Sequence, residues 1–275
     1  MTRILSGAVL IAIAVTVVWF APPAVFFAAA EILLVLAFVE YAALAAGCGL
    51  PIPTTASGVA TIAASIGVTS SFWVGDQIMS NAIALDAALL SAFVVLAGLS
   101  LTTWQGGHDA LGRAAASTFP MLYIGMPIGA MVALRTLRGR EALFLLLLTV
   151  MVSDTAQYYT GRALGRRLLA PAISPKKTIE GAAGGFVFGA LVMAIAGAWW
   201  MPGIPVALRA LLGVAVVALG IGGDLFESML KRSAGVKDSS SLIPGHGGVL
   251  DRIDALLFAA PVYYVFLKYT WLFRP

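Results

Sequence analysis

Nine long apolar runs follow one another along the chain, and they constrain its fold more than any other feature. About 20 consecutive apolar residues let an α-helix cross the hydrocarbon core of a bilayer. Within each run the apolar residues are continuous and do not alternate with polar ones, which predicts helices and not barrel strands. We therefore predict an all-α polytopic membrane protein with about nine spans, in a range of eight to ten. The runs cover about residues 4–20, 24–46, 55–72, 82–102, 118–136, 141–161, 181–200, 206–230 and 254–271.

Charged residues are too scarce to cover a soluble globule of this size. Of the 275 residues, 60% are apolar and 11% are charged, whereas soluble domains carry about 25% charged residues. The composition argues against a soluble enzyme, a disordered chain and a fibrous protein. The net charge of +4 then indicates basic cytoplasmic loops and not a nucleic-acid partner. A single cysteine, Cys48, excludes a disulfide framework and a cysteine-based metal cluster.

Two of the runs leave the number of spans open. The first resembles a signal peptide in that Arg3 precedes it, but the polytopic pattern that follows favours a first span. The third is rich in Ser, Thr and Ala, and without it the number of spans is eight. We expect one membrane domain without a soluble domain, in which 1–140 forms a lipid or scaffold part and 141–275 forms the catalytic part.

Basic residues concentrate in two connections, at 162–180 and 231–253. Between residues 162 and 252 lie 10 of the 17 basic side chains. Two spans separate the connections, so both lie on the same side of the membrane, and the positive-inside rule places that side in the cytoplasm. Arg135, Arg138 and Arg140 disagree with this topology, because the nine-span count puts their connection outside.

Acidic residues inside apolar runs are costly and often mark function. Glu31 and Glu40 are nine residues apart, about 180° around a helix, so they do not face one site together. We expect Glu40 and Asp86 at the membrane interface. Asp154 lies deeper, and two interpretations are open for it: a functional carboxylate, or a structural pair with a nearby arginine such as Arg162.

A polar face lies at the end of the eighth run. Asp224, Glu227, Ser228 and Lys231 follow the spacing i, i+3, i+4, i+7, so a helix presents them on one side. A wet cavity beside this face explains why Asp224 follows a stretch of apolar residues and glycines, which a solvated helix end does not.

The next segment, 237–254, combines basic residues, carboxylates and the three glycines Gly245, Gly247 and Gly248. Glycines let main-chain amides approach a ligand closely, and a helix N-terminus attracts phosphate. Asp251 and Asp254 are three residues apart and share one face at the start of the last span. Helix capping explains one of these carboxylates, whereas Mg²⁺ bound together with phosphate explains both.

The other basic connection carries Ser174-Pro175-Lys176-Lys177-Thr178 just before a span. Two lysines beside hydroxyl groups can bind phosphate, and they can equally set the topology or contact lipid head groups. The spacing leaves these interpretations open. The chain lacks Gly-Lys-Ser/Thr, so this connection is not a P-loop nucleotide site.

Residues 228–254 resemble the signature of the phosphatidate cytidylyltransferase (CDP-diacylglycerol synthase) family, without a departure over 27 positions. The matching pattern is Ser228-x-Leu-Lys-Arg-x4-Lys237-Asp-x-Ser-x-x-Ile-Pro-x-His246-Gly-Gly-x-x-Asp251-Arg-x-Asp254. Two further segments resemble the family: Ser174-Pro-Lys-Lys-Thr-x-Glu-Gly181 and Asp154-x-x-x-Tyr158-x-x-Gly161-Arg162. The resemblance is close over about 150–270, and the first 110 residues match as a string of spans, with Glu40-Tyr41 as a short addition.

The resemblance implies a reaction in which CTP and phosphatidic acid give CDP-diacylglycerol and pyrophosphate. It implies Mg²⁺, with K⁺ as a candidate second cation, and an all-helical and often dimeric fold among membrane lipids. We expect the bacterial inner membrane, with the active site open to the cytoplasm, and no nucleic-acid partner. The lipid phosphate would attack the α-phosphorus of CTP in line, so two anions must be positioned and neutralised.

Site residues follow from the motifs that match the family. The expected catalytic residues are Asp224, Asp251, Lys231 and Arg252. The first metal ligands are Asp224 and Asp251, with Asp254 and Asp238 next. The residues expected to bind substrate phosphates are Ser174, Lys176, Lys177, Thr178, Arg232, Lys237, His246, Gly247 and Gly248. His246 either donates to a phosphate or shapes the loop, and His108 is expected in a loop.

Three other functions fit a membrane chain with such motifs less well. A CTP-dependent polyprenol or phytol kinase would use similar loops but release CDP in place of pyrophosphate. A transporter predicts repeat symmetry and paired broken helices, and we find neither pattern in the sequence. A CDP-alcohol phosphotransferase is disfavoured because its Asp-Gly-x-x-Ala-Arg pattern is missing. The long match at 228–254 favours the cytidylyltransferase.

Overall fold

The computed structural model describes residues 2–70, 78–103, 106, 109–243 and 245–269. His108, which the sequence predicts in a loop, and Pro244 of the signature motif lie outside the described residues. The last residues of the third and ninth apolar runs lie outside them as well.

The described residues are mostly helical, as the apolar runs predict. The helices are α1 (Thr2–Phe20), α2 (Pro23–Gly47), α3 (Thr54–Ser70), α4 (Ile78–Thr103), α5 (Ala110–Pro120), α6 (Met126–Arg138), α7 (Arg140–Leu164), α8 (Ile179–Trp200), α9 (Val206–Ser233) and α10 (Leu250–Tyr269). A π-helical turn, Met121–Gly125, joins α5 to α6. Two short antiparallel strands, β1 (Leu168–Ala170) and β2 (Ser174–Thr178), form a hairpin that the sequence analysis did not predict.

Within the described residues, six helical segments are long and apolar enough to cross a membrane. They are Pro23–Gly47, Leu85–Thr102, Ala110–Arg138, Arg140–Leu164, Ile179–Trp200 and Val206–Ser233. Val9–Phe20 and Thr54–Thr69 are shorter apolar helices, and α10 carries Asp251, Arg252 and Asp254 in its first turns. The all-α membrane fold is therefore confirmed.

The chain divides into two compact units. The first unit contains Met1–Thr136 and Leu230–Arg252, and the second contains Leu137–Met229 and Ile253–Pro275. The break after Thr136 lies close to the expected division at residue 140. Most of the signature motif nevertheless groups with the N-terminal helices, although it lies far along the chain from them.

Buried hydroxyl groups explain the weak hydropathy of the third run. Ser57, Thr61 and Ser65 in α3 are fully buried. The Ser57 hydroxyl donates to the Ser117 carbonyl at 2.6 Å, and the Thr61 hydroxyl donates to the Ser57 carbonyl at 2.7 Å. A Cβ on Gly125 would lie 2.4 Å from the Thr61 carbonyl oxygen, so the π-helical turn and α3 pack at close range. Small and hydroxyl side chains are typical of such contacts between membrane helices.

Two of the arginines whose positions conflict with the predicted topology, Arg135 and Arg138, donate hydrogen bonds to main-chain carbonyls. In the first unit, Arg135 donates from Nε to the Val18 carbonyl at 3.1 Å, and its guanidinium lies 4.5 Å from the centroid of the Phe26 ring. In the second unit, Arg138 donates from Nε to the Leu267 carbonyl at 3.1 Å. Both carbonyls lie in the last turns of helices, where unsatisfied carbonyls and the helix dipole favour a cation. Both arginines therefore have a hydrogen-bond acceptor at the C-terminal end of a helix.

Close packing of α7 against α8 fixes the hairpin in the second unit. A Cβ on Gly184 would lie 2.3 Å from the Thr160 hydroxyl oxygen. The Thr178 hydroxyl accepts from the Gly181 amide at 3.1 Å and so caps the N-terminus of α8. The Glu180 carboxylate accepts from the Arg166 and Arg167 amides at 3.0 and 3.2 Å, which ties the chain entering β1 to the start of α8.

Candidate active site

The connection between α9 and α10, residues 234–249, forms what we call the signature loop. It turns at Gly245 and Gly247, whose φ angles of 77° and 80° favour glycine. The Ile243 amide donates to the Gly247 carbonyl and the His246 amide donates to the Ile243 carbonyl, each at 2.9 Å. These bonds shape the loop into one wall of a cavity within the first unit.

The cavity has a volume of about 430 Å³, which is in the range of small-molecule sites. Its lining residues are Lys237, Asp238, Ser240, Ser241, Ile243, Gly245, His246, Gly247 and Arg252. Lys237 and Arg252 are exposed cations, and Asp238 is the one carboxylate among the described lining residues. The structure thus brings together Lys237, His246, Gly247 and Arg252, which were predicted from separate positions of the motif. The balance of charge suits an anionic ligand.

Asp251 is held by the loop that it follows. Its Oδ2 accepts from the Ser239 amide at 2.9 Å and the Gly248 amide at 2.7 Å, and the Ser239 hydroxyl, 2.9 Å away, shares its single proton between this oxygen and Glu40. Its Oδ1 accepts from the Lys231 ammonium, and the two side chains are 5% and 10% exposed. Both oxygens of the predicted metal ligand therefore have protein donors. These contacts favour a role in shaping the loop, and metal binding by Asp251 stays a prediction.

Gly248 lets the signature loop approach two carboxylates. A Cβ at this position would lie 2.1 Å from the Ser239 hydroxyl oxygen and 2.3 Å from Glu40 Oε2. The sequence analysis expected this glycine to present its amide to a phosphate. In the structure, the amide instead donates to Asp251.

Glu40 is the functional candidate whose contacts the sequence does not predict. It is buried, with 5% exposure, in the C-terminal half of α2. It accepts four hydrogen bonds from the signature loop and the start of α10, and these satisfy a charge that burial alone would make costly. The short match at Glu40-Tyr41 was the one signal in the sequence that could have found it.

A second group of predicted residues lies in the second unit. The Lys177 ammonium and Asp224 Oδ2 are 2.7 Å apart, and these side chains are 22% and 35% exposed. Ser228 donates to Asp224 Oδ1 over 3.4 Å, so the predicted shared face of α9 is present for this pair. A Cβ on Gly223 would lie 2.4 Å from the Asp254 carbonyl oxygen, and this close approach of α9 to α10 brings Asp254 next to the same turn of α9.

The remaining predicted residues have local roles in the structure. Thr178 caps α8, as described above, and Ser174 pairs with Ala170 across the hairpin. Lys176 is exposed on β2. Arg232 is exposed and donates to the Val236 carbonyl at 3.0 Å. Asp154 accepts from Gln157 at 3.0 Å.

Carboxylates are the predicted metal ligands of this chain. Among the described residues, no group of three or more His, Cys, Asp and Glu side chains is placed to hold a metal ion. Mg²⁺ commonly uses one or two carboxylates and completes its shell with water and substrate phosphates. Asp224 and Asp254, both partly exposed, have the oxygen donors that Mg²⁺ prefers.

Comparison with known proteins agrees with the motif. Residues 1–270 match the model of the cytidylyltransferase family. The chain is 37% identical over 200 residues to a phosphatidate cytidylyltransferase of Bacillus subtilis (strain 168), a region that covers 72% of this chain and 71% of that protein. It is 48% identical over 134 residues to the phosphatidate cytidylyltransferase of Haemophilus influenzae, covering 46% of each chain. It is 36% identical over 153 residues to that of Aquifex aeolicus, covering 55% of this chain and 56% of the relative. The chain therefore belongs to the cytidylyltransferase family.

Proposed function

We propose that the protein transfers the cytidylyl group of CTP to phosphatidic acid, giving CDP-diacylglycerol and pyrophosphate. The observation that carries the proposal is the cavity of about 430 Å³ walled by the signature loop, with Lys237, His246 and Arg252 in its lining. In a chain of the cytidylyltransferase family, a cavity of this size and charge suits the triphosphate of CTP. The relatives named phosphatidate cytidylyltransferase support phosphatidic acid as the acceptor.

The reaction needs positioning and charge more than a protein nucleophile. An oxygen of the ionised lipid phosphate forms a bond to the α-phosphorus of CTP, while the bond from that phosphorus to the bridging oxygen of the β-phosphate breaks. Pyrophosphate leaves with the electron pair. Because both reactants are anions, their approach must be stabilised by nearby cations and hydrogen-bond donors.

In this proposal the cations of the first unit hold CTP. Lys237 and Arg252 are exposed in the cavity, so their charged groups can reach a ligand there. A bidentate guanidinium suits phosphate oxygens, and the ammonium adds a compact charge. Lys231 is buried against Asp251 and acts in the proposal by fixing the loop.

Mg²⁺ fits the second unit better than the first. Asp224 Oδ1 has a long 3.4 Å contact to the Ser228 hydroxyl, and its side chain is 35% exposed, so it retains room for a cation. Asp224 would hold Mg²⁺ with Asp254, and Lys177 would bind an anionic oxygen beside them. When bound, Mg²⁺ supplies positive charge that offsets the charge of phosphate groups.

We also propose that the protein lies in the bacterial inner membrane with its site open to the cytoplasm. The basic connections at 162–180 and 231–253 support this orientation through the positive-inside rule. CTP is a cytosolic substrate and phosphatidic acid is a membrane lipid, so the reaction requires access to both.

The test is incubation of the purified protein in mixed micelles with labelled CTP, phosphatidic acid and Mg²⁺. We expect cytidine label in the lipid fraction together with an equal amount of pyrophosphate. Release of CDP without lipid-linked cytidine would instead identify a CTP-dependent lipid kinase. The absence of both products, in a preparation that binds CTP, would contradict the proposal.

A further inference from the structure

Four hydrogen-bond donors surround the Glu40 carboxylate, two at each oxygen. Its Oε1 accepts from the Ser240 hydroxyl at 2.7 Å and the Val249 amide at 2.9 Å. Its Oε2 accepts from the Ser239 hydroxyl at 2.8 Å and the Leu250 amide at 2.7 Å. Each oxygen thus has one hydroxyl donor and one main-chain donor, all at the short distances typical of bonds to a charged acceptor.

The four donors come from the two ends of one segment. Ser239 and Ser240 directly follow the lining residues Lys237 and Asp238, and Val249 and Leu250 lie where the signature loop gives way to α10. Between these points lie Gly245, His246 and Gly247, which line the cavity. One carboxylate in α2 therefore joins the two ends of the segment 239–250, which supplies most of the described cavity lining.

We infer that Glu40 is a positioning residue for the nucleotide: it holds both ends of the segment 239–250 and so sets the shape of the cavity that takes CTP. This inference rests on the proposed function for the identity of the ligand. Glu40 does not line the cavity, so it acts through the loop and not by contact with the substrate.

The charge of Glu40, and not its shape alone, is required by this arrangement. A glutamine at position 40 has one oxygen and one NH₂ group. In either orientation of the amide, the NH₂ faces a main-chain N–H, that of Val249 in one orientation and that of Leu250 in the other. A serine hydroxyl can rotate to accept, but a main-chain N–H cannot, so Glu40→Gln places donor against donor at one end of the loop.

Glu31 provides a matched control in the same helix. Like Glu40 it is a carboxylate of α2, but it is only half-buried. Its Oε1 accepts from the Ser65 hydroxyl at 2.7 Å. Its Oε2 has no hydrogen-bond partner among the described residues. Glu31→Gln therefore keeps the single hydrogen bond and leaves the loop untouched.

The experiment compares Glu40→Gln and Glu31→Gln in the full-length protein in mixed micelles. We expect Glu40→Gln to raise KM for CTP roughly tenfold or more and to change KM for phosphatidic acid less than about twofold. We also expect faster amide hydrogen exchange, without substrate, in peptides that cover 239–250. Glu31→Gln should match the wild type in all three measurements.

The inference is overturned if Glu40→Gln leaves KM for CTP unchanged, or leaves hydrogen exchange at 239–250 unchanged. It is also overturned if Glu31→Gln changes these measurements as much as Glu40→Gln does. If Glu40→Gln fails to fold, Glu40→Asp decides: the charge remains but is shorter by one methylene, and the same pattern should follow with a smaller rise in KM. If the wild type makes no lipid-linked cytidine, the proposed function fails, while the exchange comparison still decides whether Glu40 holds the loop.

Discussion

In the first unit, Glu40 and Asp251 are surrounded by donors from the signature loop, whereas in the second unit Asp224 lies at a partly exposed turn of α9 beside Lys177. Asp251 is 5% exposed and accepts from the Lys231 ammonium and two main-chain amides, and Asp224 is 35% exposed with one ammonium and one distant hydroxyl as partners. The sequence presents Asp251 and Asp224 alike, as acids beside apolar runs.

The difference indicates two uses of a carboxylate in one protein. A buried carboxylate that accepts from main-chain amides at both oxygens fixes the backbone, because a neutral amide in its place leaves at least one of those N–H groups without an acceptor. A carboxylate with open coordination sites can accept a cation or orient a substrate group. The first unit therefore uses Glu40 and Asp251 to hold the cavity wall, and the second leaves Asp224 partly exposed beside Lys177.

Asp224→Asn should have the largest effect on activity. It removes the charge from the predicted Mg²⁺ ligand and from the pair with Lys177, so we expect kcat to fall by roughly a thousandfold. Because the side chain is partly exposed, thermal stability in detergent should change little. Formation of lipid-linked cytidine across a Mg²⁺ titration measures the effect, with Ser228→Ala, which removes only the distant hydroxyl, as the control.

Asp251→Asn should reduce both activity and stability. The change takes the negative charge from a buried pair with Lys231 and places an NH₂ group against existing donors. Loss of one partner of a buried ion pair costs about 3–5 kcal/mol. We expect a clearly lower Tm and little or no CDP-diacylglycerol. A purified Asp251→Asn protein that still makes CDP-diacylglycerol would remove Asp251 from the site, and one with the wild-type Tm would contradict its role in the loop.

Gly248→Ala should change the shape of the signature loop and leave the charges of Glu40 and Asp251 in place. The added Cβ would lie 2.1 Å from the Ser239 hydroxyl oxygen, so the loop must move away from Glu40 and Asp251. We expect KM for CTP to rise roughly tenfold, with a loss of about 1–3 kcal/mol in stability. Gly98→Ala in α4 is the control, because a Cβ there meets no described heavy atom within 4 Å. Equal effects of the two changes would show that the contact at Gly248 is unimportant.

The helices and the residues of the signature loop could be predicted from sequence because both are local signals. A span is visible as about 20 apolar residues, and the loop is visible as fixed polar and glycine positions. The weak third run is explained once its partners are known, since the Ser57 hydroxyl is satisfied by a carbonyl of α5 and the Thr61 hydroxyl by a carbonyl of α3 itself.

The role of Glu40 could not be predicted, because its partners are distant in sequence. Ser239 is 199 positions away, and helix periodicity relates only residues a few turns apart. From the sequence alone, Glu40 is expected at the membrane interface, because an acid near the end of a span is solvated there unless protein donors reach it. Donors do reach it, since the signature loop belongs to the same compact unit as α2.

Thr178→Ala should have the smallest effect on activity. It tests whether a predicted phosphate-binding residue of the second unit has only a structural role. The hydroxyl of Thr178 caps α8 by accepting from the Gly181 amide at 3.1 Å, and loss of such a cap costs about 1 kcal/mol. If capping is its whole role, Tm should fall by a few degrees, kcat should stay within about twofold, and Thr178→Ser should restore the wild-type Tm. Thr178 was also predicted to bind substrate phosphate, and that role requires a larger loss of activity than of stability. A tenfold fall in kcat at an unchanged Tm would therefore place Thr178 with Asp224 among the residues available for chemistry, and not with the carboxylates that hold backbone.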